Sequence, residues 1–195
     1  MTRYADKVLW SPSAEEVARA HLTAFTSEIN RRYGLNIRGY DELHRWSVEE
    51  RPRFWESVWR YADLRASRPW DEVVRDGDRM PGARWFIGAR LNYAENLLRR
   101  RGPGDALVFR GEGGHRRRIS HDELYSVVAR LAGALRRAGV QPGDRVAGFM
   151  PNLPETIAAM LAASAVGAVW SSCRDQTKPS LLSESPHELI GQRLY

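Results

Sequence analysis

Cysteine is nearly absent from this sequence, Cys173 being the only one. A single thiol excludes an internal disulfide and suits a reducing compartment. Lysine is almost as scarce: Lys7 and Lys178 are the only two, and arginine carries the rest of the positive charge. Long apolar runs are missing too. None reaches the roughly 18 residues that a membrane-spanning helix needs, so no membrane partner is expected. The first ten residues, MTRYADKVLW, hold no apolar signal-peptide core, and a cytoplasmic address is the expectation. Internal repeats and long low-complexity segments are also lacking.

What is present fits a globular chain. Hydrophobic residues make up 43% and charged residues 28% of 195 positions, enough for one domain or one domain with an extension. The net charge is +6 and the pI about 9.9. A basic balance can signal nucleic acid. Here the arginines are scattered among acids, and Arg116-Arg117-Arg118 has no interleaved aromatics for base stacking, so no nucleic-acid partner is expected. A positive field also suits an anionic small molecule.

Ile119 to Cys173 organises the chain. Leu124, Val127, Val128, Leu131 and Leu135 recur at helical spacing. Ser120 and Glu123 make a capping-box pair before them, and Gly139 follows the helix as a C-terminal stop. Pro142-Gly143-Asp144 is turn chemistry, and Val146 to Met150 reads as a short buried strand. Pro154 and Glu155 open an Ala-rich helix that is apolar nearly all round and should be buried on more than one side. Gly167 stops it, and Ala168 to Ser171 reads as the next strand. A strand, helix and strand of this length predict a βαβ crossover with a parallel pair.

The run GVQPGDRVAGFMPNLPETIAAMLAASAVGAVWSSC resembles the opening of the large domain of the acyl-adenylating (AMP-binding) ligases. WFIGARLNYAENLLRR, Trp85 to Arg100, and YDELHRWSVEERPRFWESVW, Tyr40 to Trp59, resemble the acetoacetyl-CoA synthetase family within that group. The resemblance covers about Trp10 to Cys173. It implies ligase chemistry: a carboxylate attacks the α-phosphorus of ATP, pyrophosphate leaves, and the CoA thiolate then displaces AMP from the acyl-adenylate. ATP, Mg2+ and CoA are the cofactors of the intact family, with acetoacetate or another short acyl acid as substrate.

The chemistry needs a Gly/Ser/Thr-rich loop for the phosphates, an acidic ribose ligand and a mobile domain carrying a lysine. None of the family's motifs for these stands in this sequence, so no catalytic residue carries over. The chain is expected to be inactive alone and to bind none of the cofactors. One correspondence survives. Trp170, Ser171, Ser172 and Cys173 occupy positions that, by resemblance, lie near CoA; the plainer reading is that the serines simply finish a strand.

Several other features invite functional readings, each with a plainer one. Gly111-Glu112-Gly113-Gly114 could cradle phosphate, but a strand-like run follows rather than a helix N-terminus, so a β-hairpin from Ala106 to Ile119 is expected. Phe54, Trp55, Val58, Trp59 and Tyr61 could line a pocket, but aromatics at helical spacing are more often core. His44 has no metal-spaced companion. Arg99-Arg100-Arg101 reads as a helix end whose dipole it offsets, behind a helix over 91–100 capped by Asn92.

Nearer the start, Ser13 is expected to cap one helix running through Ile29 and ended by Gly34, and Ser47 to cap a helix from Val48 with Glu50 at its capping-box position. Arg68 to Arg84 reads as loop, with a short ordered segment at its WDEVV piece.

The expected architecture is α/β: a mainly helical N-terminal extension over residues 1–104, then from 105 to 173 a β-hairpin and the first βαβ of an adenylate-forming domain, truncated. Residues 174–195 depart from the family pattern and read as a divergent tail. Such a truncated sheet would leave an exposed strand edge, through which self-association is conceivable. The function expected is therefore an N-terminal fragment of an acetoacetate–CoA ligase, with a non-catalytic interaction or dimerisation module as the alternative.

Overall fold

The computed structural model describes residues 8–111 and 114–173. The divergent tail, with a short helix expected at 186–194, lies outside them. The chain forms two compact units: the described residues of Met1–Leu64 with Arg68–Ala89, and those of Arg65–Ser67 with Arg90–Tyr195.

The first unit is mostly helical: α1 (Ala14–Arg19), α2 (His21–Tyr33), α3 (Tyr40–Glu49) and α4 (Arg51–Tyr61), followed by β1 (Glu72–Arg75) and β2 (Arg84–Ile87). Ser13 caps α1 as expected, its hydroxyl accepting from the Glu16 N–H while its own N–H donates to the Glu16 carboxylate. The single helix expected through Ile29 is broken at Ala20, whose ψ of 140° is extended. The break leaves Val17 and Leu22 exposed and keeps Phe25 and Ile29 for the core. Gly34 ends α2 in the left-handed conformation, φ 66°.

The expected cap at Ser47 does not form. Its hydroxyl donates to the His44 carbonyl inside α3, and the boundary falls at Glu50 instead. Pro52 explains this: its ring would clash with the Val48 carbonyl in a continuous helix, whereas the first turn of α4 tolerates it. The short ordered segment expected at WDEVV is β1, which pairs antiparallel with β2, Val74 opposite Trp85.

The aromatic patch is core except at Trp55, which is exposed. Phe25, Ile29 and Leu43 are buried, with Phe54, Val58, Tyr61 and Trp46 packed against them. Trp59 is buried, its ring centroid 5.0 Å from Trp70 and 4.6 Å from Phe86. Buried Ser57 is satisfied by donating to the Arg53 carbonyl at 2.7 Å and pairing with the Tyr33 hydroxyl at 3.1 Å.

The second unit contains α5 (Tyr93–Leu97), β3 (Asp105–Arg110), β4 (Arg116–Ser120), α6 (His121–Arg137), β5 (Arg145–Phe149), α7 (Pro154–Val166) and β6 (Val169–Cys173). Every sheet in the described residues is two-stranded. β3 and β4 form the expected antiparallel hairpin, with a register shift between Asp105 and Leu107. β5 and β6 form the expected parallel pair around α7, with Val146 opposite Trp170 and Gly148 opposite Ser172.

The core of this unit lies between α6 and α7. Leu124, Val128 and Ala132 face Ala158, Leu161, Ala162 and Val166. The buried positions of α7 span about half its circumference at ~100° per residue, because alanines let neighbours approach closely on more than one side. Burying a side chain such as Leu161, 2% exposed, contributes about 1.5–3 kcal/mol.

Candidate functional site

The candidate site is the end of β6, and the residues before β5 and β6 fix where it lies. Asp144 Oδ2 accepts from the Gln141 N–H at 2.8 Å, closing the turn ahead of β5. The Gly143 N–H donates to the Gly167 carbonyl, and the Val169 N–H donates to the Asp144 carbonyl at 2.7 Å. Gly167, at φ 88°, brings its Cα hydrogen to within a Cβ's reach of Pro142, where a side chain would stand 3.2 Å from the proline Cβ. The turn and the glycine thus lock the parallel register from which Trp170 to Cys173 project.

Along β6 the side chains alternate. Trp170 is half-buried, while Ser171, Ser172 and Cys173 are exposed. The indole of Trp170 lies across Gly148 of β5: a Cβ there would stand 2.4 Å from the ring. Gly148 is therefore the residue that seats Trp170, and sequence reading did not single it out. Its only sequence signal is a glycine inside a strand, which marks close approach by another group. The Met150 N–H donates to the Cys173 carbonyl at 3.3 Å and extends the ladder past Phe149.

Asparagines of the LNYAEN run serve as fasteners. Asn92 caps α5 by accepting from the Glu95 N–H, and its amide donates to the Ser164 and Ala165 carbonyls at the C-terminal end of α7. Asn96 holds the Arg65 backbone from both sides, at 2.9 Å each way. The Asn92 bonds satisfy carbonyls that the end of α7 leaves open.

The shifted titratable groups sit at helix caps and ion pairs. Two hydrogen bonds from Ser120, first from its backbone N–H and then from its hydroxyl, hold the Glu123 carboxyl below its usual range. Ser13 does the same to Glu16. A side-chain bond from Arg117 leads the lowering at Glu155, tying β4 to the first turn of α7. Glu72 raises Arg75. Each shifted group belongs to a cap or an exposed ion pair, and none converges with another on a cleft.

Arginine triplets read the same way. Arg117 pairs with Glu155, Arg118 with Asp105, and the Arg101 guanidinium lies over the Tyr125 ring. At Gly111–Gly114 the Gly111 N–H donates to the His115 carbonyl and the Gly114 N–H to the Gly111 carbonyl, so these amides close a hairpin turn. Two shallow grooves are present: about 310 Å³ between β3 and the start of α7, and about 530 Å³ beside α5 and α6. Among the described residues no three His, Cys, Asp or Glu side chains gather in a way that could hold a metal. No described helix is long and apolar enough to cross a membrane.

Comparison with known proteins gives this scaffold its relatives. Residues 40–97 match the acetyl-coenzyme A synthetase N-terminus, and residues 96–184 match the AMP-binding enzymes. Acetoacetyl-coenzyme A synthetase of Rhizobium meliloti is 49% identical over 169 residues, covering 87% of this chain and 26% of the relative. Malonamoyl-CoA synthetase of Penicillium aethiopicum is 38% identical over 179 residues, covering 88% and 24%. The solved structure of acetoacetyl-CoA synthetase from Streptomyces lividans superimposes with a TM-score of 0.78 at 44% identity, covering 86% of this chain and 26% of that one. The chain therefore spans about a quarter of the length of the relatives it matches. Over that span it is homologous to the N-terminal part of the acetoacetyl-CoA synthetases, within the AMP-binding enzymes.

Proposed function

We propose that this chain is the N-terminal layer of an ATP-dependent acetoacetate–CoA ligase and supplies scaffold rather than chemistry. The whole reaction would join acetoacetate and CoA, releasing AMP and pyrophosphate from ATP. The observation that carries the reading is the β5–α7–β6 unit, the start of a parallel sheet, in a chain 49% identical to an acetoacetyl-CoA synthetase over most of its length. In this reading ATP, Mg2+ and the acyl acid are held by residues beyond this stretch, and the chain alone is inactive.

Acetoacetate is favoured because the bacterial relatives at 49% and 44% carry that activity in their names. A malonamoyl-CoA synthetase still reaches 38% here, as high as the 38% of the acetoacetyl-CoA synthetase of Xenopus tropicalis. The choice of acid is thus assigned to the rest of the enzyme. Trp170 to Cys173 are proposed to lie near CoA, with Trp170 fixed by Gly148 and Ser171, Ser172 and Cys173 open to a ligand.

The test is a graft. Residues 8–173 replace the matching quarter of the Streptomyces lividans enzyme, and acetoacetate-dependent CoA ligation is measured. The reading predicts an active, folded chimera, in which CoA slows alkylation of Cys173. A folded chimera without ligase activity would sink it and favour the alternative, a non-catalytic interaction module.

A further inference from the structure

We propose that the groove beside α5 and α6 binds a small phosphate-bearing organic anion. Its phosphate would meet Arg65, Arg101 and Arg136, and its apolar portion the alanine-containing face of α6. The inference is independent of the ligase reading, because every residue lining the groove belongs to the second unit and lies between Arg65 and Ala165. The volume, about 530 Å³, is that of a small-molecule site, which typically spans roughly 300–1,000 Å³.

The argument begins with one face of α6. Tyr125, Ala129, Ala132 and Arg136 recur at helical spacing, and all four line the groove. An exposed aromatic ring thus stands at one end of the face and a guanidinium at the other, with two short side chains between them. Ala132 and Val128 are buried beneath, as is Leu98 from the end of α5, while Ala129 is open. The alanines leave space over an apolar wall that longer side chains would fill.

The mouth is cationic. Arg65, Arg99, Arg101 and Arg136 line the groove, against the single carboxylate of Glu95. A face destined for the interior would carry few such charges. Three of the arginines are held in place at one point each. The Arg101 guanidinium lies over the Tyr125 ring, and Arg136 donates to the Ala165 carbonyl at 3.4 Å. Asn96 holds the Arg65 backbone from both sides. Each guanidinium carries five N–H donors, so these contacts leave most of them for a ligand. Among the described residues Arg65, Arg101 and Arg136 make no ion pair, whereas Arg117 and Arg118 each have a carboxylate.

The donor set selects phosphate over carboxylate. A carboxylate offers two acceptor oxygens and one charge, while a phosphate monoester offers three and nearly two. Guanidinium matches either anion, but three of them outnumber what one carboxylate can satisfy. Exposed arginines alone hold an anion weakly. The apolar wall supplies the remaining affinity, so inorganic phosphate should bind less well than a phosphate ester with an apolar body.

The experiment is calorimetric titration of the full chain at low salt with three probes: naphthyl phosphate, inorganic phosphate and naphthoate. The proposal predicts one naphthyl phosphate per chain, bound about fivefold or more tighter than either other probe, and weakened by added salt. Arg101→Gln and Arg136→Gln should each weaken it by about threefold or more. Arg130→Gln removes the same charge from α6 outside the groove and should leave it unchanged. Ala129→Leu fills the space over the wall and should erase the preference for naphthyl phosphate over inorganic phosphate. Circular dichroism melts of the variants separate lost binding from lost folding.

No binding of naphthyl phosphate by the folded chain would overturn the proposal. So would an equal loss in Arg130→Gln, which would mean a diffuse positive field. Naphthoate bound as tightly as naphthyl phosphate would overturn the choice of phosphate. An inactive graft would refute the ligase reading and leave this groove untouched.

Discussion

Ser120 and Glu123 show how one pair of residues sets an element. The Glu123 N–H donates to the Ser120 hydroxyl at 3.2 Å, and the Ser120 N–H donates to the Glu123 carboxylate at 2.8 Å. Ser120→Ala should lower stability by about 1 kcal/mol, read as a fall in melting temperature. The sign with pH follows from the depressed Glu123 pKa. A carboxylate favoured in the folded state contributes above its unfolded pKa, about 4.3, and loses that contribution as pH falls through the lower folded value. The gap between wild type and Ser120→Ala should therefore be full at neutral pH and shrink below about pH 4. At Gly148 the constraint is steric. Gly148→Ala puts a methyl group into the Trp170 ring, so the indole must move. A red-shifted tryptophan emission and a lower melting temperature are expected. Ser171→Ala, on an exposed position, should change neither.

At the scale of elements, α6 and α7 carry the second unit, and their packing gives the largest expected losses. Leu161→Ala should cost about 2–5 kcal/mol, because removing a buried side chain leaves a cavity. Ala162→Leu should cost about 1–3 kcal/mol by overpacking the same contact. Chemical denaturation of both variants checks the pair. These helices were legible in the sequence because their signals are local: a capping box, a stripe at helical spacing, glycines at Gly139 and Gly167. Other elements were not. Ser47 carries the residue type of a cap, but the steric demand of Pro52 put the boundary at Glu50. β1 falls on the WDEVV piece, whose order is legible, but its pairing with β2 across a glycine- and proline-containing connection is not a local signal. The break at Ala20 has no breaker residue; its trace is Thr23, whose hydroxyl donates to the Val17 carbonyl at 2.6 Å. At the candidate site, Trp170 to Cys173 were reachable only through family resemblance. Gly148 was hidden because its partner, Trp170, lies on another strand and a helix away.

For the whole molecule, the proposal to be tested is that this stretch supplies scaffold. Its shifted carboxyls belong to caps and an ion pair, and the Gly111 and Gly114 amides close a hairpin turn. Its exposed apolar face on β5–β6 is the feature that a larger sheet would cover. The most direct test is acetoacetate-dependent ATP–pyrophosphate exchange by the purified chain, with the full-length Rhizobium meliloti relative run in parallel. The account predicts exchange by the relative and none above background by the chain. Exchange by the chain alone would contradict it, and would mean that these residues hold ATP and activate a carboxylate without the rest of the enzyme.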